Sequence, residues 1–169
     1  MKASEIKIIE LKAGKILTDL GVRDIPVPIE SIAERIGIKI GYAPSDEYSG
    51  MLIRKEGQQA LMGINSDEPK TRMRFTIAHE IAHFIFENKK ISIDYRSSGQ
   101  LLNKPPEEKR ADFFASSILM PKKAIALDFD QISEGLFSQE DLVRLAKKYQ
   151  VSQDAMKYRL INLGLIRPA

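Results

Sequence analysis

The stretch Arg74-Phe75-Thr76-Ile77-Ala78-His79-Glu80-Ile81-Ala82-His83-Phe84 decides how the rest of the chain is read. It contains H-E-x-x-H and holds both histidines of the protein. Positions i and i+4 lie on one face of an α-helix, about one turn apart. His79 and His83 can therefore grip one Zn²⁺ from the same side. Glu80 then stands beside the metal's open position, where it can take a proton from water. Pro69 can open the helix, and no Gly or Pro follows until Gly99. Phe75, Ile77, Ala78, Ile81, Ala82, Phe84, Ile85 and Phe86 cover almost every face, which marks a buried helix. Two histidines and a glutamate inside such a helix need partners, and a metal supplies one. The plainer alternative is a pair of core histidines bonded to backbone carbonyls, with Glu80 on an exposed strip.

A second stretch narrows this choice: Pro105-Pro106-Glu107-Glu108-Lys109-Arg110-Ala111-Asp112-Phe113-Phe114-Ala115. Pro-Pro followed by Glu-Glu is a good helix start. Glu108 and Asp112 are i and i+4 and share a face. Glu108 can be the carboxylate of a His₂Glu catalytic zinc site. Asp112 can accept the free ring N–H of one histidine and so orient it. A solvated helix start would account for Glu107 and Glu108. It accounts less well for Asp112, which Ala111, Phe113, Phe114 and Ala115 surround.

Together the two stretches resemble the ImmA/IrrE family of bacterial and phage metallopeptidases. The family pattern is an R-F-T-x-A-H-E-x-x-H helix, then E-x-x-A-[ND]-x-F-A, ending in L-M-P. Here these are Arg74 to His83, then Glu108 to Ala115, then Leu119-Met120-Pro121. The resemblance implies a gluzincin-like peptidase with one Zn²⁺ per chain, His79, His83 and Glu108 as ligands and Glu80 as general base. It also implies a target, a transcriptional repressor. Two departures stand out. Arg110 precedes Ala111 where many members carry a second Glu, which leaves Glu108 as the better ligand. The chain also lacks the additional C-terminal sensor domain of longer members.

At 169 residues and 43% hydrophobic content, the chain has enough material for one core with a small appendage. It has no cysteine, hence no disulfide framework and no thiolate metal site. That suits a reducing cytoplasm, and the charged N-terminal stretch is no secretory leader. No segment approaches a membrane span. The net charge is +3, and residues 136–169 hold all of the excess. This is a mild bias, far from a nucleic-acid footprint.

Apolar spacing predicts a helix over Ala3–Leu20, stopped by Gly21, and a short one from Pro28 to Arg35, stopped by Gly37. Strands are expected at Ile38–Tyr42, Gly50–Lys55 and Ala60–Asn65, the last two joined by a hairpin turn at Glu56-Gly57-Gln58-Gln59. The expected fold is α+β and zincin-like: a small three-stranded antiparallel sheet packed on the pair of active-site helices. In such folds an edge strand binds substrate in extended form. The alternative is a sheet that merely backs the helix.

Asn88 to Lys104 reads as a polar connection, a mobile loop or a lid. Tyr95 and Arg96 within it are candidate oxyanion or substrate groups, against the plainer reading of solvated loop residues. A short helix is expected over Lys122–Leu127 and a loop over Asp128–Phe137.

The division expected is a peptidase domain at 1–135 and a helical pair at 136–169 packed on it. Ser138-Gln139-Glu140-Asp141 is a capping box opening a helix to Tyr149. Ser152 caps the next helix, which buries Ala155, Met156, Leu160 and Leu163 and ends at Gly164. Helix, short turn, helix is helix-turn-helix-like, with Gln153, Asp154, Lys157 and Tyr158 facing a groove if it reads DNA. Asp154 opposes phosphate there, and packing against the enzyme core is the favoured reading. The expectation is thus a zinc metallopeptidase acting on a protein, a helix-turn-helix repressor. The rival is a non-enzymatic zinc-containing regulator that binds protein or DNA. An intact Glu80 argues against the rival, because a structural site needs no base.

Overall fold

A computed structural model describes residues 1–95, 104–132 and 137–167. Among them are seven helices and one four-stranded sheet, in the order α1 (Ala3–Asp19), α2 (Ile29–Arg35), β1 (Ile38–Ala43), β2 (Tyr48–Ile53), β3 (Ala60–Asn65), α3 (Lys70–Phe86), β4 (Ile91–Tyr95), α4 (Pro106–Leu119), α5 (Lys122–Ile132), α6 (Gln139–Tyr149) and α7 (Gln153–Asn162). Helix α1 buries Ile9, Ala13 and Leu17 along one stripe and packs against α4. Gly21 follows it at φ +65°, a left-handed conformation that favours glycine. Pro28 precedes α2, which buries Ile29, Ile32 and Ala33.

The sheet differs from the expected three-stranded antiparallel meander. Its order is β1-β3-β2-β4, and β1 runs parallel to β3. The hairpin β2–β3 is antiparallel, with Leu52 opposite Met62, and Gly57 turns it at φ +71°. The reason for the order lies in burial. Ala60, Met62, Ile64 and Asn65 make β3 largely interior, which suits a strand flanked on both sides. Strand β1 is exposed over its second half and takes an edge. Asn65 fastens the arrangement: its amide nitrogen donates to the carbonyls of Ser45 and Tyr48, and its oxygen accepts from the backbone of Ser45 and Asp67.

The fourth strand falls inside the stretch expected to be loop. β4 pairs antiparallel with β2, Ile93 opposite Met51 and Ile91 opposite Ile53, and forms the other edge. Its exposed Ile91 and Ile93 alternate with Ser92 and buried Asp94. Such a weak apolar signal between lysines is easily taken for a connection. Helix α5 likewise runs to Ile132, beyond the expected end at Leu127, and takes in Asp128 to Ile132 of the stretch expected to be loop, whose residues 133–136 lie outside the described ones.

Helix α3 lies on one face of the sheet and is buried from Arg74 through His83, apart from Phe75. It packs against α4, which Pro106 opens at its first turn. Ile77 and Ile81 of α3, Phe114 and Ile118 of α4 and Met62 and Ile64 of β3 belong to one buried apolar cluster.

The capping box at Ser138 and Asp141 forms as expected, and Ser152 caps α7. The residue that pins this helical pair to the rest is Arg159. It has no solvent exposure, and its guanidinium donates to Glu10 of α1, to Ser117 of α4 and to the carbonyl of Met120 at 3.0 Å. Gln153, Asp154, Lys157 and Tyr158 remain exposed. No described helix is long and apolar enough to cross a membrane.

Candidate metal centre

The site is built where α3 crosses α4. One helical turn separates His79 and His83, and their Nε2 atoms face each other at 3.0 Å. Glu108, in the first turn of α4, straddles them: one oxygen lies 3.1 Å from Nε2 of His79, the other 3.4 Å from Nε2 of His83. Ligand atoms of the three residues all lie within 4.8 Å of one another.

The other ring nitrogens are also taken. Nδ1 of His79 lies 3.0 Å from Asp112, and Nδ1 of His83 lies 2.8 Å from Glu87. Both carboxylates sit below their usual range. Burial is the largest single influence and works against the charged form of each, but the histidine and the lysine beside each carboxylate together outweigh it. A carboxylate can only accept, so each histidine carries its proton on Nδ1 and donates it. Both Nε2 atoms are then left with lone pairs pointing at one another and at Glu108. With both rings neutral, three acceptors converge with no hydrogen between them, and that place is filled either by a proton on Nε2 donated to Glu108 or by a metal cation. The pull on positive charge is visible in His79. Burial opposes its protonation, yet Asp112 and Glu108 outweigh burial and raise its pKa to about 10. Hydrogen bonds from His79 and His83 hold Glu108 well below the ordinary carboxylate range, despite partial burial. The group could therefore hold a metal, and its donor set of two neutral imidazoles and a carboxylate fits zinc.

Glu80 is fully buried, and neither of its carboxylate oxygens has a hydrogen-bond partner among the described residues. Burial pushes its pKa up to about 7, with Asp94 and Glu108 adding to the rise and the two histidines opposing it. Such a value suits a group that takes and returns a proton near neutrality. Its place is set by β2. Gly50 lies so close that a Cβ there would collide with Thr76 Cγ2 and meet Glu80 Cγ at 3.5 Å. A strand residue without a side chain lets the sheet approach the helix at that point.

Of the residues expected from sequence, the structure brings together His79, His83, Glu80, Glu108 and Asp112. Tyr95 is different. It follows Asp94 on β4, alternates with it, and shares the exposed sheet face with Ile91 and Ile93. Arg96 lies outside the described residues. Sequence reading missed Glu87, whose only signal is i+4 spacing from His83. It also missed the lysines behind the orienting carboxylates: Lys104 lies 2.7 Å from Asp112 and Lys89 lies 3.1 Å from Glu87.

The family model described as the IrrE N-terminal-like domain, a peptidase family, matches residues 33–161. The chain belongs to that family. The match takes in α3, α4 and most of the C-terminal helical pair. No curated protein matches the sequence. Among solved structures, a Mycobacterium tuberculosis transcriptional regulator superposes with a TM-score of 0.63 at 13% identity. The alignment covers 92% of this chain and 46% of that one, so the chain spans about half of that protein's length. At this identity the likeness shows the fold alone, an α+β core.

Proposed function

We propose that this IrrE-like chain is a zinc metalloendopeptidase that cuts a transcriptional repressor. The observation that carries the reading is the convergence of His79 Nε2, His83 Nε2 and Glu108 with an unpartnered, buried Glu80 beside them. His79, His83 and Glu108 would hold one zinc. Bound there, zinc supplies a Lewis acid that polarises the peptide carbonyl and acidifies water. Glu80 accepts the water's proton and returns it to the leaving amine. Asp112 keeps the Nδ1 proton of His79 in place.

Strand β4 is the sheet edge on this side. Its Asp94 pairs with Gly50 and acts electrostatically on Glu80. An extended substrate segment can add to that edge with its main chain hydrogen-bonded. The repressor as target rests on the R-F-T-x-A-H-E-x-x-H and E-x-x-A-D resemblance. The helical pair, held by buried Arg159, packs on the enzyme core in this reading and does not serve as a DNA reader.

The test is co-expression of a helix-turn-helix repressor encoded beside this protein with wild type and with Glu80→Gln, read by intact mass. One discrete cut with wild type alone is expected. An uncut repressor released from DNA by both forms would favour a non-enzymatic, zinc-containing regulator instead.

A further inference from the structure

Glu87 is the first residue beyond α3, with an extended backbone at φ −124° and ψ 152°. It holds His83 twice. Its backbone N–H donates to the His83 carbonyl at 3.1 Å, and its side chain accepts from His83 Nδ1 at 2.8 Å. A carboxylate at a helix C-terminus opposes the macrodipole, so helix stability does not account for it. Its surroundings do. Lys89 Nζ lies 3.1 Å from its second oxygen and reaches Glu107 on α4 at 3.7 Å. Arg54 donates to the same His83 carbonyl at 2.6 Å and lies over Phe84. The side chain of Glu87 is 11% exposed. Its bound oxygen faces Nδ1, on the far side of the ring from Nε2, so in this pose it is no ligand itself.

We propose that Glu87 is a positioning residue for His83, the counterpart just beyond α3 of Asp112 on α4. It holds the Nδ1 proton and fixes the ring so that Nε2 presents its lone pair to the cation. Lys89, tied also to Glu107, keeps the carboxylate in that pose. The inference rests on the metal reading above and extends it: each histidine is held by its own carboxylate, and each carboxylate by its own lysine.

The experiment compares wild type, Glu87→Gln and Glu87→Ala in the full chain. Zinc affinity is measured by competition with a chromophoric chelator, and the histidine Nδ1–H resonances are recorded on the zinc-loaded protein. Wild type is expected to show two downfield, exchange-protected Nδ1–H signals. Glu87→Ala should weaken zinc roughly ten- to a hundredfold and lose protection of the His83 signal alone. Glu87→Gln retains an acceptor and should lose less than about tenfold, with the His83 signal protected but moved upfield, since a neutral acceptor bonds more weakly. If the alanine variant does not fold, the glutamine variant carries the test, and an unmoved His83 signal overturns the proposal. Wild-type zinc affinity in Glu87→Ala overturns it too. A wild-type chain that binds no zinc would instead overturn the metal reading itself.

Discussion

Asp112 on α4 lies 3.0 Å from Nδ1 of His79 on α3, and its other oxygen is held by Lys104 at 2.7 Å. One carboxylate thus links the helix crossing to the orientation of a ligand ring. Asp112→Ala should weaken zinc binding roughly ten- to a hundredfold without abolishing it, because the ring keeps its place on α3 but loses its tether. A metal titration indistinguishable from wild type would make Asp112 a bystander.

Glu80→Gln should keep zinc and fold while lowering peptidase activity on the order of a hundredfold or more. The amide has nearly the same shape but cannot accept the proton. Its buried oxygens have no partner to lose among the described residues, so the melting temperature should not fall. Cleavage of a verified substrate at the wild-type rate would remove Glu80 from the mechanism.

Removing the metal should destabilise the protein. With zinc chelated, His79, His83 and Glu108 are left with a shared proton in place of the divalent cation, and the binding free energy that favoured the folded chain is lost. The melting temperature should drop on chelation and recover on adding zinc. His83→Ala should bind little zinc and show no such response. Unchanged melting of wild type after chelation, with no zinc in the purified protein, would count against the whole site.

Gly50→Ala should destabilise by about 1–3 kcal/mol, since a Cβ there meets Thr76 on a packed helix. Thr76→Ser removes the methyl it would strike, so the double variant should recover much of the loss. Chemical denaturation of the single and double variants reads this directly. A single variant as stable as wild type would show that β2 and α3 can separate freely.

Arg159→Ala should cost about 2–4 kcal/mol, because it removes a fully buried guanidinium from a half-buried Glu10 and leaves the Met120 carbonyl without its donor. Combined with Glu10→Gln, the loss should be less than the sum of the two, as for any pair in contact. Additive losses in urea denaturation would mean that the contact does not join α7 to α1.

The local elements were legible because their causes are local. His79 and His83 are one turn apart in any helix, and Pro69 and Pro106 stand where those helices begin. The hairpin followed from Gly57 between two apolar runs, and the capping box from Ser138 and Asp141 three positions apart. The candidate cluster was legible in part for the same reason: Glu108 and Asp112 share a face of one helix, and the resemblance to the family set that helix against His79 and His83.

Strand order, the edge strand and the partners of polar groups were decided only by the tertiary structure. Periodicity reports which side of a segment is apolar, not which segment lies beside it. Whether β3 or β2 neighbours β1 depends on how all the strands share burial, a property no single window contains. The short strand β4, with two isoleucines exposed at an edge, carries too little apolar pattern to be seen before β2 pairs with it. Its alternation then turns Tyr95 outward. Glu87 and Arg159 read as ordinary helix-end and helix-surface charges. They become a ring tether and a buried clamp only once His83, Lys89 and Glu10 are brought to them.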